Sequence, residues 1–200
     1  MRIIGGEWRG RKIEEPRGRD VTRPTTDRVR EACASMVMSA FDFNLDEVRV
    51  LDAFGGSLTT FEIDRNAVRL ITKNIESLCR DRARWRVVGG DVLASASRGR
   101  VPGGPFDLVL LDPPYAFGAE PVEELLQNLA QQGLLAQGAY ALFEHAAADA
   151  GAHPTGFETV REKRYGITSV DLLRWAAEDE NDHADENEND EDVPSEDTHE

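Results

Sequence analysis

"VRVLDAFGGSLTTFEIDR", residues 48–65, holds two short apolar runs, each closed by an acidic residue, Asp52 and Glu62, with a glycine pair between them. Apolar runs of this length suit strands buried on both faces, which are the strands of parallel sheets covered by helices. Parallel neighbours are normally joined by a crossover of about a dozen residues or more, usually a helix. Here only six positions carry the chain from Gly56 to Glu62. The stretch therefore reads as a βαβ unit without its helix. Three explanations stay open: a segment deleted from the protein, a fault in the reading of its sequence, or an unusual pairing of the strands.

Outward from this stretch the alternation of strands and helices continues. A helix is predicted from Arg65 to about Arg80, with Val68, Ile71, Ile75 and Leu78 recurring at helical spacing. There follow "WRVVGGD" (85–91), a short helical piece, "FDLVLLDPPY" (106–115), a helix over "PVEELLQNLAQQ" (121–132) and "GAYALFEH" (138–145). This order predicts an α/β fold with a mostly parallel, helix-covered sheet. The last segment, "FETVREKRYGITSVDLLRWA" (157–176), reads as two strands joined near "YG", an antiparallel hairpin. Upstream, Thr26 is placed to cap a helix whose buried face is Val29, Ala32, Cys33, Met36, Val37 and Ala40. The first 13 residues alternate loosely around "GG" and "RG" and suit a small β-hairpin arm.

The predicted organisation is a basic N-terminal arm over 1–24, one α/β domain over 25–177 and a disordered acidic tail over 178–200. The tail carries 13 Asp or Glu and no Lys or Arg. It has too little apolar surface to offset the entropy of ordering it. The formal net charge of −15 thus belongs mostly to the tail, and the rest of the chain is near −2. Residues 1–30 hold nine Lys or Arg against five Asp or Glu, and "REKRYG" at 161–166 adds a second basic cluster. Such local patches, rather than total charge, decide whether a phosphate backbone can dock.

No apolar run approaches the roughly 18 residues of a membrane span, and the N-terminus lacks a signal-peptide core. The expected location is cytoplasmic, without a membrane partner. Cys33 and Cys79 stand far apart, with no further Cys or His at ligand spacing, so buried reduced thiols are expected and no metal site.

The chemistry concentrates in "DPPY". Asp112, Pro113, Pro114 and Tyr115 follow a buried strand at its carboxyl end, where open α/β sheets bind ligands. Two prolines remove two backbone donors and stiffen the turn. A carboxylate and a neighbouring carbonyl can accept both hydrogens of an exocyclic amine while the tyrosine stacks on the attached ring. That arrangement aims the nitrogen lone pair at an incoming electrophilic methyl. The bland alternative is a strand that ends in a Pro-Pro turn beside an ordinary tyrosine.

The sequence resembles the amino-methyltransferases that use S-adenosyl-L-methionine, and more narrowly the RsmD-type 16S rRNA (guanine-N2) methyltransferases. "MRIIGGEWRGRKI", "RPTTDRVREA", "VLDAFGGS", "FEIDRNAV", "LDPPY" and "EKRYGITSVDLL" occur in that family's order, covering the chain to Trp175. The resemblance implies a Rossmann-like methyltransferase sheet and the catalytic group Asp112, Pro113, Pro114 and Tyr115; it also implies a longer glycine loop followed by a helix, so that an apparent internal deletion falls between Ser57 and Leu58. It implies cofactor contacts at Asp52, Phe54, Gly55 and Gly56, with Glu62 on the ribose, Ile63 beside the adenine and Asp91 on the adenine amine. It also implies that Arg2, Trp8, Arg9, Arg11 and Lys12 touch RNA, as a basic segment with an aromatic can. The implied partner is 16S rRNA or an assembling small ribosomal subunit and the implied target guanine 966; the protein is expected to be a monomer without metal.

Each residue taken singly has a plainer reading. Glu62 is a strand-end carboxylate, Asp91 a helix cap, and Arg23 and Arg28 surface charges. His145 reads as structural or solvent-facing, since transfer from a sulfonium needs no strong base. The shortened glycine loop would remove backbone donors near the methionine end of the cofactor. That leaves a catalytically impaired RNA-binding remnant as an alternative. An adenine-N6 DNA methyltransferase is a further alternative, disfavoured because the chain has no separate DNA-reading domain. A nicotinamide dehydrogenase fails, because "GGS" is not the dinucleotide fingerprint.

Overall fold

The computed structural model describes residues 2–3, 6–15, 26–53, 59–114 and 117–176. Phe54, Gly55, Gly56, Tyr115, Arg23 and the acidic tail lie outside these residues. Seven strands form one sheet: β1 (Val50–Asp52), β2 (Thr59–Glu62), β3 (Arg86–Gly89), β4 (Phe106–Leu111), β5 (Leu135–Ala146), β6 (Phe157–Tyr165) and β7 (Thr168–Trp175). Their spatial order is β3-β2-β1-β4-β5-β7-β6. Neighbours from β3 to β5 pair in parallel, while β7 is antiparallel to both β5 and β6.

The disputed stretch keeps ordinary parallel pairing: Leu51 lies opposite Thr59, and Asp52 opposite Thr60. The unusual-pairing explanation therefore falls. Only residues 53–58 join the two strands. A link of that length spans at most about 20 Å, and it suffices because β1 has three residues and β2 four. The short strands make the missing helix topologically tolerable, though they leave that part of the sheet thinly covered.

The helices are α1 (Asp27–Ala40), α2 (Arg65–Leu78), α3 (Val92–Ala96) and α4 (Glu120–Gln131). Thr26 caps α1 as expected, its hydroxyl accepting from the Val29 N–H at 3.4 Å. Val29, Met36 and Val37 bury that helix against Leu108, Leu142, Val170 and Leu172. Cys33 and Ala40 are only half-buried beside them, and Cys79 is half-buried too, so both free thiols are less enclosed than the sequence implied. On the other sheet face, α4 presents Val122, Leu125, Leu126 and Leu129, none more than 1% exposed. Full burial of such side chains stabilises by about 1.5–3 kcal/mol each. By contrast, α2 has no fully buried residue, although Val68, Ile71, Ile75 and Leu78 do share one face.

β6 and β7 turn through Gly166, whose φ of +65° suits glycine in a two-residue hairpin. Tyr165 pairs with Thr168, and Thr168 with Ala146 at the end of β5. The hairpin turn therefore lies on the same edge of the sheet as the carboxyl ends of β1 to β5. The N-terminal arm closes through an antiparallel bridge between Arg2 and Lys12. It is anchored on α2, where Asn74 bonds both the N–H and the carbonyl of Glu14, at 2.9 and 3.0 Å.

Candidate active site

Parallel pairing gathers the chemistry-bearing residues along one edge. Reading across β3, β2, β1 and β4, the strand ends carry Asp91, Glu62, Asp52 and Asp112 in that spatial order. At about 4.8 Å per strand this row is roughly 15 Å long. Three of its members, far apart in sequence, are neighbours only because the strand order makes them so.

Asp112 follows β4 and is exposed, Pro113 is buried and Pro114 exposed. The Pro114 carbonyl accepts the Phe117 N–H at 2.8 Å, closing the turn. The Pro113 carbonyl has no partner among the described residues. One carbonyl of the Pro-Pro pair is thus spent on local structure, while the one next to Asp112 meets no donor among the described residues. A shallow cleft beside both prolines is walled by Phe143, Glu144 and Ala146 from the end of β5.

Two expected cofactor residues also serve locally. Asp91 caps α3, its Oδ1 accepting from the N–H groups of Leu93 and Ala94 at 2.9 and 3.3 Å. Glu62 Oε1 accepts the Asp64 N–H at 2.8 Å, and Asp64 in turn caps α2. These bonds orient the carboxylates without excluding a ligand, because each carboxylate offers about four acceptor positions. Ile63 is 75% exposed at the end of β2, an unusual position for isoleucine and a suitable flat apolar contact for a ring. Asp52 ends β1, and the Ala53 N–H bonds Leu110 O at 3.1 Å, fixing the start of the short link against β4.

The expected RNA contacts stand on the arm: Arg2, Arg9, Arg11 and Lys12 are exposed and Trp8 half-buried. Arg2 sits 3.8 Å from Asp27 in the first turn of α1, and Lys73 on α2 pairs with Glu14. The arm is therefore held at both ends, by α1 and by α2. Arg28 is exposed, as its plainer reading required.

Two features were not legible in the sequence. The Cys33 thiol is pushed up to about 12 by burial, then by the negative charges of Glu144 and Asp112. The second is His145, which is not solvent-facing: Nε2 lies 3.0 Å from Asp171 Oδ2, Nδ1 lies 3.0 Å from Ala146 O, and the ring stacks on Phe143 at 4.9 Å. Both ring nitrogens face oxygens. Both contacts are hydrogen bonds only if the pair carries one proton more than a neutral imidazole and an ionised carboxylate. Burial pushes the Asp171 carboxyl up, consistent with that extra proton, and its Oδ1 has no hydrogen-bond partner among the described residues. Burial of a titratable pair on adjacent strands depends on register, which local sequence does not display.

Among the described residues no group of His, Cys, Asp and Glu could hold a metal, and no helix is long and apolar enough to cross a membrane.

The family model described as Conserved hypothetical protein 95 matches residues 1–174. The chain is 30% identical to ribosomal RNA small subunit methyltransferase D of Escherichia coli K12, over 91% of this chain and 93% of that protein. Their 197 aligned positions exceed what 91% of 200 residues can fill, so the relative carries residues at positions this chain lacks. The Haemophilus influenzae protein of the same description is 27% identical over 87% and 93% of the two chains. Among solved structures, the candidate methyltransferase yhhF of Escherichia coli superposes with a TM-score of 0.71 at 28% identity, over 88% of this chain and 98% of that one. Through the family match over residues 1–174 and the nearly full-length likeness, the chain belongs to the Conserved hypothetical protein 95 family, that of the ribosomal RNA small subunit methyltransferase D proteins.

Proposed function

We propose that this chain methylates the N2 amine of a guanine in 16S rRNA, using S-adenosyl-L-methionine. The observation that carries this reading is the Pro113 carbonyl, without a partner among the described residues, next to the exposed Asp112 at the carboxyl end of β4. Asp112 accepts one N–H of the amine and Pro113 O the other, which turns the nitrogen lone pair toward the cofactor side of the edge. Tyr115, outside the described residues, stacks on a base taken out of its helix. After transfer the nitrogen sheds one proton, and the exposed Asp112 passes it to water.

The cofactor, when bound, supplies an electrophilic methyl on a sulfonium. Glu62 would hold the ribose hydroxyls, Ile63 the adenine face and Asp91 the adenine amine. Asp52 and the loop of Phe54, Gly55 and Gly56 would hold the methionine end. The donor set fits the nucleoside: acceptors stand on consecutive strands with an exposed apolar side chain between them. Guanine 966 is the target that family likeness suggests, on free rRNA or on an assembling subunit in the cytoplasm. In this reading residues 1–24 are the RNA-contacting arm, 25–177 the catalytic domain of a monomer, and 178–200 an acidic extension.

The six-residue link between β1 and β2 favours a second reading, an RNA-binding remnant that no longer holds cofactor. Calorimetric titration of the folded chain with S-adenosyl-L-methionine separates the two. Micromolar binding, followed by methyl incorporation into 16S rRNA, supports the enzyme, and absent binding supports the remnant.

A further inference from the structure

β6 is the free edge of the sheet, and every residue from Glu158 to Arg164 is exposed. Register sorts its charges. Arg161 lies opposite Leu172 and Lys163 opposite Val170, while Glu162 lies opposite Asp171 and Arg164 opposite Ser169. Directly opposed residues share a face of the sheet. Leu172 and Val170 pack with α1, so Arg161 and Lys163 project on the α1 face, in line with the half-buried Tyr165. Glu162, between them in sequence, points to the opposite face. Strand periodicity thus removes the acid from the row and leaves two adjacent cations. Neither cation has an ion pair or hydrogen bond among the described residues, whereas Arg164 is engaged through Nε to Gly166 O at 3.1 Å. The row leads to the hairpin turn beside Ala146, on the edge that carries Asp112.

We propose that Arg161 and Lys163 form a phosphate-binding track on β6 that holds the RNA backbone alongside the site at the end of β4. The inference rests on the RNA reading above and adds a contact surface that the basic arm does not supply. Two strand positions separate the cations, about 6.7 Å, the scale of one backbone step in a single strand. Arginine grips a phosphate through its planar fork and lysine as a point charge. The competing explanation is that charges guard a free edge against pairing with another sheet. A guard works with either sign of charge, whereas a phosphate track needs positive charge.

The test is binding of a synthetic 16S rRNA hairpin to the full chain across a salt series, for the natural protein, R161Q/K163Q and R161E/K163E. The logarithm of affinity falls with the logarithm of salt by about 0.7–0.9 per neutralised phosphate. The track predicts that each double variant loses roughly 1.5 from this slope and binds about tenfold or more weakly at low salt, with an unchanged unfolding midpoint. An unchanged slope in R161Q/K163Q, while the natural chain binds, overturns the track and leaves the RNA reading intact. Failure of the natural chain to bind the hairpin at any salt overturns both.

Discussion

The two halves of the sheet are built to different standards. From β4 to β7 the strands run six to twelve residues, and α4 buries four side chains completely. From β1 to β3 they run three or four residues, and α2 buries none. The end of β4 that would hold the base thus rests on a thick core, while the cofactor side rests on a thin one. The link of residues 53–58 is too short for the usual crossover of about a dozen residues, and a helix there would add cover to the sheet beside α2. Retained parallel pairing without it shows that strand order is held by the pairs themselves, through residues such as Leu51 and Phe61, both almost wholly buried.

Breaking the strong side should have the largest effect. Asp112→Ala is expected to lower methylation of 16S rRNA by about 10²–10³-fold, the usual cost of removing one aimed polar group. Cofactor affinity by calorimetry should stay within twofold. Equal loss in both would move Asp112 from the amine to the cofactor. Next, Leu126→Ala in α4 should destabilise by about 2–5 kcal/mol in denaturant unfolding, as buried leucines do. Ile75→Ala in α2 should cost less than half as much; equal costs would remove the contrast between the halves.

The thin side can be sharpened by repair. Inserting a helical crossover of about a dozen residues between Ser57 and Leu58 should tighten S-adenosyl-L-methionine binding at least tenfold, about 1.4 kcal/mol. No gain would show that the short link already builds the site. A smaller effect separates the two roles of Asp91. Asparagine caps a helix about as well as aspartate, while alanine costs about 1 kcal/mol. Asp91→Asn should therefore keep the unfolding midpoint and Asp91→Ala lower it. Cofactor affinity falling in both would identify Asp91 with the adenine amine.

The smallest expected effect concerns pH. The Asp171 carboxyl is raised above its ordinary value, chiefly by burial and against the opposing pull of His145. Its contribution to stability is full below the unfolded-state value and is lost as pH rises through the folded-state value. Asp171→Asn presents a permanent donor to His145 Nε2. It should flatten that part of the stability profile; a profile identical to the natural chain's would place the proton elsewhere.

The element order, the antiparallel hairpin and the "DPPY" turn were all legible locally, because buried strands and amphipathic helices differ in apolar periodicity. Boundaries were less so: β5 begins at Leu135 rather than Gly138, and β1 shrinks to three residues, because strand ends are set by available partners. Asp91 could not be divided between cap and ligand, since both uses need the same carboxylate in the same place.

By itself the sequence determined the fold class, the family and the absence of room for a helix between Ser57 and Leu58, all of which depend on near-neighbour pattern and length. Tertiary structure alone decided that Asp91, Glu62, Asp52 and Asp112 form one row, that His145 meets Asp171, and that Arg161 and Lys163 share a face without Glu162. Those facts depend on strand order and register, which arise from pairing between segments far apart along the chain.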